Sequence, residues 1–404
     1  AFGASAANAL HVNVSPAWNG WIKAGSPTEV TIRVVGERGG QLNLSLADQT
    51  ISYTNSVNLE PNVEFVWRVP LSPPSREPMH LKIQLDDEPA VEQAITLRHH
   101  QATSPLVAVL AGEDIPLRGI PATTVNLAGN ALPFYHSSFA AMDLILIHRD
   151  SLNKLARQQL IALQQHAAAC GRIVVVGVAP AALAGFKELA GCGGRFLVAV
   201  ESVNELDARI ASMLGTPVPQ LPSPASMQAL FGNHSLAGQI PALAAFFTIY
   251  LCVLVLAVIS KNAPVYFVSA SAAATLIGLV AWSISSEQID RVAWTESENG
   301  AGSARFTSVL RVLGNGDRVS VDVPPNTGPV QPLQPTDLTI ESGNGSDRAD
   351  RISFNTQLFS QYEFVASGVT TIPVSLKLKK SGDAPRISNS GPDQSLPALL
   401  AWNG

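Results

Sequence analysis

Four polar residues stand where an α/β sheet does its chemistry. Glu113 and Asp114 follow the apolar run LVAVL (106–110), and His148 and Asp150 close and follow DLILIH (143–148). If those runs are parallel strands, their carboxyl ends form the crevice in which such sheets bind ligands. Two or three carboxylates around an imidazole suit general acid–base hydrolysis or a metal ion. The competing reading is a polar rim, with Asp150 or Ser151 capping a helix that runs to about Ala168. The turn after RIVVVG (172–177) is Gly177-Val178-Ala179-Pro180, without the Ser or Cys that a nucleophile elbow requires. His148-Arg149-Asp150 resembles the start of a kinase catalytic loop, but Leu155 stands where the downstream Asn is needed. No glycine-rich phosphate cradle follows any strand. No catalytic residue, cofactor or metal ligand is therefore assigned, and the chain is read as non-enzymatic, with hydrolysis at the four-residue cluster as an alternative.

The cysteines point to a different chemistry. CGRIVVVG and CGGRFLVAV place Cys170 and Cys192 each just before an apolar run. Were those runs neighbouring parallel strands, about 4.8 Å apart, both thiols would lie at the same amino edge within disulfide reach. Cys170–Cys192 is thus a candidate disulfide, against two buried free thiols. Cys252 reads as a small apolar residue. Trp18 and Trp21 read as core or rim aromatics, and as glycan-stacking candidates if exposed. His99-His100 reads as an interdomain linker.

The elements that would position these residues differ along the chain. Residues 10–100 hold short alternating runs (EVTIRVVG, QLNLSLA, HLKIQL) at roughly ten-residue spacing, which predicts an immunoglobulin-like β-sandwich. Residues 104–214 alternate fully apolar runs with helical segments, which predicts a doubly wound parallel sheet. Residues 215–239 are a Pro/Ser-rich linker. Residues 287–404 return to strand patterns and are read as a second all-β domain. There Asn315-Gly316 gives the strongest hairpin signal. LPALLAWNG stops within a strand or turn, so the natural chain is expected to continue.

Between linker and second β domain, 240–285 carries two apolar runs joined by Lys261-Asn262-Ala263-Pro264. From Ile210 to Ser286 the only ionisable Lys, Arg, Asp or Glu is Lys261. A run of about 21 residues spans a ~30 Å hydrocarbon layer at ~1.5 Å per residue, so a transmembrane helical hairpin is expected. Lys261 puts its turn in the cytoplasm and the large domains in the periplasm. The opening AFGASAANALHV resembles the tail of a secretory signal, in agreement. The chain has 404 residues, 46% hydrophobic and 14% charged, with net charge −5 and no basic stripe, which argues against nucleic acid.

The stretch MDLILIHRDSLNKLARQQLIALQQHAAACGRIVVVG follows a strand, polar turn, helix, glycine and β-branched strand. It resembles the class I glutamine amidotransferase-like fold in its degenerate, membrane-associated form. PAWNGWIKAGSPTEVTIRVVGERGGQLNLSL resembles the sandwich that often precedes that fold in bacterial envelope proteins. The resemblance covers about half the chain. It implies envelope assembly or stress systems with AAA+ and von Willebrand-type partners. Because no Cys stands at the nucleophile turn, amidotransfer is not carried over. The resulting expectation is a non-enzymatic, membrane-anchored scaffold or binding subunit of a bacterial inner-membrane complex. Its expected partners are the lipid bilayer and other envelope proteins. The third reading is a polysaccharide- or peptidoglycan-binding module using Trp18 and Trp21.

Overall fold

The computed structural model describes residues 10–74, 76–100, 104–111, 115, 121–128, 131–183, 192–202, 205–219, 223–228, 288–297, 303–314, 316–323, 327–341, 350–357, 360–371, 376–381 and 384–389. It also describes six isolated positions between 248 and 268. Alternation dictates the first sandwich. In Thr28–Gly36, Val30, Ile32 and Val34 point inward and are fully buried, and the strand pairs antiparallel with Leu10–Pro16 and Phe65–Leu71. The facing layer is Ile51–Leu59, Gly40–Ala47, Met79–Leu85 and Val91–Ile95, and its Leu42, Leu46, Leu81 and Ile83 close the core.

That second layer does not end with the first sandwich. Leu338–Glu341 pairs in parallel with the start of Ile51–Leu59 and is followed by Asp350–Asn355 and Arg318–Val323, making one seven-stranded sheet. A four-stranded sheet (Gln288–Ser297, Ser303–Leu313, Gln361–Thr371, Gln331–Pro332) packs on its far end, with Phe354 and Phe364 rings 4.7 Å apart across the layers. Ser303–Leu313 and Arg318–Val323 therefore lie in different sheets, and the hairpin expected at Asn315-Gly316 is replaced by a crossing between layers. Gly316, at φ 94°, takes the left-handed turn, and its N–H donates to Thr356 Oγ1 at 3.2 Å. Asn315 itself lies outside the described residues. Pro224–Gln228, within the expected linker, is a short helix whose Met227 is fully buried against Val309 and Val365.

Residues 106–200 form a five-stranded parallel sheet in the order Thr123–Leu127, Leu106–Leu110, Leu144–His148, Ile173–Val176, Leu197–Val200. The three central strands are buried on both faces, as near-continuous apolar strands require, whereas the edge strand Thr123–Leu127 exposes Thr124 and Asn126. Leu106, Ala108 and Leu110 face the helix Arg157–Ala168 and the first sandwich, whereas Val107 and Val109 face the helix Leu206–Gly215. The helix expected from Asp150 or Ser151 is broken. A single turn, Arg149–Leu152, ends at Asn153, and Arg157–Ala168 starts afresh at Ala156. Gln159 supports that start by accepting from the Ala156 N–H at 3.0 Å, and its amide also donates to Leu132 O.

The fold class expected from the sequence is corrected on one point that governs the rest. Among the described residues no helix is long and apolar enough to cross a membrane, and the structure is mostly β. The longest described helix has 12 residues, about 18 Å at 1.5 Å per residue, against the ~30 Å that a span needs. The transmembrane hairpin assigned to 240–285, including Lys261, falls almost wholly outside the described residues. Of the six positions described there, Leu251, Val255, Ile259 and Val268 are helical and exposed, and Cys252 is a free, exposed thiol. The membrane and transmembrane assignments are accordingly dropped.

Candidate functional site

In the parallel sheet the first strand, Leu106–Leu110, lies between the second and the third. Successive connections therefore leave it in opposite directions, which makes the carboxyl ends of Leu106–Leu110 and Leu144–His148 the topological switch point at which sheets of this type bind ligands. His148 ends the third strand with its side chain 36% exposed. Its Nδ1 accepts from the Asp150 N–H at 3.3 Å, with Asp150 Oδ2 3.5 Å away. In the neutral ring this places the proton on Nε2. Gly177, at φ 79°, ends the neighbouring strand, and a Cβ there would stand 3.3 Å from His148 Nε2. Glycine thus leaves room for the imidazole at the switch point. Glu113 and Asp114 lie outside the described residues. Of the four cluster residues, the structure brings His148 and Asp150 together, and among the described residues no group of three metal-ligating side chains converges.

At the opposite, amino edge Cys170 and Cys192 form a disulfide, with Cα atoms 5.5 Å apart. The local chain explains the placement. The helix Arg157–Ala168 ends in a Schellman turn, in which the Gly171 N–H donates to His166 O at 2.8 Å and the Cys170 N–H to Ala167 O at 3.0 Å. Cys170 therefore occupies the left-handed position at φ 64°, where glycine is usual, and Cys192 is also left-handed at φ 57°.

The tryptophans require a correction. Trp18 has no exposed surface. Its indole N–H donates to Ser138 O at 2.8 Å, and its ring meets Phe139 edge to face at 5.4 Å. A stacking platform needs a free ring face, so Trp18 is a packing residue and not a glycan site. Trp21 is half-buried, with the Arg98 guanidinium 5.8 Å above its ring and His100 at its side. His100 donates from Nε2 to Ser104 O at 2.7 Å and belongs to a short parallel pair, Trp21–Lys23 with Arg98–His100.

Trp18 belongs to a second, unforeseen polar cluster, the join between first sandwich and parallel sheet. Trp18 and Asn19 are both left-handed (φ 57° and 51°), a conformation that costs roughly 1–2 kcal/mol per residue. Docking holds them there, for the Asn19 amide donates to Asn126 O at 2.9 Å. Lys23 Nζ pairs with Asp143 Oδ1 at 2.6 Å, while Asp143 Oδ2 accepts the Leu106 N–H. Glu29, 2% exposed, accepts at Oε2 from the N–H groups of Phe134 (2.8 Å) and Tyr135 (3.1 Å). Burial pushes its carboxyl up to about 7, against the opposing pull of those N–H groups and Arg68. Sequence reasoning missed Glu29 because its position in Thr28–Gly36 has outward parity, which normally means solvent.

No family model and no curated protein matches the chain. Among solved structures, a cycloisomaltooligosaccharide glucanotransferase of Paenibacillus sp., complexed with cycloisomaltoheptaose, aligns at 8% identity. The alignment spans 87% of this chain and 70% of that one, with a TM-score of 0.18. A likeness so slight carries no argument about fold or activity, and it does not bear on the amidotransferase-like or immunoglobulin-like resemblance.

Proposed function

We propose that the protein is a non-enzymatic binding subunit or scaffold of a bacterial envelope complex, with its described domains on the periplasmic side. The observation that carries this reading is the continuous seven-stranded sheet, which ties the N-terminal and C-terminal β regions into one support for the parallel sheet. Such a frame offers strand edges as recognition surfaces. One of them is Gln288–Ser297, which among the described residues pairs only with Ser303–Leu313 and carries Ile289 at 43% exposure. The Cys170–Cys192 bond fits an oxidising compartment. Crosslinking in intact cells followed by affinity recovery should yield a defined envelope protein. Ile289→Asp should weaken that recovery without lowering the melting temperature. A chain that crosslinks to nothing at any dose, or a variant that recovers the same partner in full, refutes the reading.

A hydrolytic reading rests on the partly exposed His148 imidazole at the switch point. His148→Ala should abolish cellular function under that reading and leave it intact under the first.

A further inference from the structure

The buried carboxyl at the join has a geometry suited to sensing protons. Glu29 points from the outer face of the first sandwich into the segment that links the second and third strands of the parallel sheet. Its Oε2 takes two successive backbone N–H groups from that segment, at Phe134 and Tyr135. On the adjacent strand Phe65–Leu71, opposite Thr31, the Arg68 guanidinium lies 3.8 Å over the Phe134 ring, with Nε buried and unpartnered. The compensating cation is thus committed to a ring face and forms no ion pair with Glu29 among the described residues.

We infer that Glu29 makes the docking of the first sandwich on the parallel sheet pH-dependent, seated when its carboxyl is protonated and loosened when it ionises. The groups facing it are few. Arg68 and, more weakly, Thr31 on its own strand favour its ionised form, and Tyr135 lies beside it on the docked segment. Asp350, from the seven-stranded sheet, acts on Tyr135 together with Glu29. Neighbouring His136 is itself held low, at about 4, by burial.

The sign follows from linkage. Undocking returns Glu29 to water, where its carboxyl titrates near 4.5, whereas the seated carboxyl titrates at about 7. The seated state therefore binds the proton more tightly and loses ground as pH rises through that window, levelling off above it. His136 acts in the opposite direction if undocking hydrates it, so the comparison must cancel it. Glu29→Gln does this, because its amide oxygen still accepts both N–H groups but does not ionise.

The experiment is hydrogen exchange on the full chain, as protection factors for the Phe134 and Tyr135 amides from pH 5 to pH 8. Protection in the wild type relative to Glu29→Gln should fall by about seventyfold across that range. Amides of Val30 and Ile32 in the sandwich core should not follow. A constant ratio, or a parallel fall at Val30 and Ile32, overturns the inference. Should Glu29→Gln fail to fold, side-chain carbon NMR of the wild type decides alone. A Glu29 carboxyl titrating near 4.5 overturns the inference, and one titrating well above it, with a further rise in Arg68→Met, upholds it.

Discussion

Removing the Cys170–Cys192 bond tests the account of the amino edge of the parallel sheet. The bond closes a loop with a sequence separation of 22. In the chain-entropy model a loop of that size restricts the unfolded state by about 3 kcal/mol at 25 °C. Cys170→Ala/Cys192→Ala should lose that amount, because both thiols are buried and neither has another polar partner to lose. The backbone adds a second, separable effect. Both residues are left-handed, and alanine there keeps the steric cost that glycine escapes. Cys170→Gly/Cys192→Gly should therefore be more stable than the alanine pair by about 1–2 kcal/mol, after glycine's greater freedom in the unfolded chain offsets part of the relief. Urea titration of wild type and both variants, at equal m-values, reads the differences as shifts in midpoint. An alanine pair as stable as wild type would refute the crosslink, and alanine and glycine pairs of equal stability would refute the backbone argument.

Three further outcomes are expected. Trp18→Ala should cost about 3–5 kcal/mol, read by thermal unfolding, since it empties a fully buried site and strands Ser138 O; a loss below 1 kcal/mol would mean that the join is not packed as described. Gly171→Ala should destabilise by about 1–3 kcal/mol, because a Cβ would fall 2.1 Å from His166 Nε2 while that ring is stacked on Phe139 at 5.2 Å; an unchanged urea midpoint would contradict the placement of the ring. Stability should fall on acidification from pH 6.5 to pH 5. His136 and His166 keep part of their surface open, yet burial holds them at about 4 and about 3, so the unfolded chain takes up protons first. Two such groups outweigh the single opposing carboxyl of Glu29, and a urea midpoint that rises over that interval would refute the sign.

The parts of the fold legible in the sequence are those where one physical requirement dominates. LVAVL, LILI and IVVV are apolar at every position because parallel strands are covered on both faces, and each run lies within a strand. The thiols before two neighbouring strands could be placed for the same reason. Legibility ends where one part of the chain covers another. Glu29 and Arg68 have outward parity and read as solvated, yet residues 132–142 bury that face. Trp18 reads as a core or rim aromatic, with an exposed ring as the alternative, and only the distant Ser138 and Phe139 decide it. Asn315-Gly316 specifies a turn but not whether its flanking strands pair, and here they join separate sheets. For 240–285, hydropathy measures the cost of leaving those residues in water and does not say which apolar surroundings receive them. The expected hairpin rested on that measure alone.

The parallel pairing of Leu338–Glu341 with Ile51–Leu59 has a consequence for biosynthesis. The partner of Ile51 is Leu338, which is 338 − 51 = 287 residues later in the chain. At ~5–20 residues per second, a ribosome leaves that strand without its neighbour for roughly 15–60 s. Throughout that interval the N-terminal half presents an open, β-prone border to every other nascent copy. Manufacture of this molecule should therefore lean on a holding chaperone, and a fragment ending before residue 338 should accumulate as insoluble aggregate.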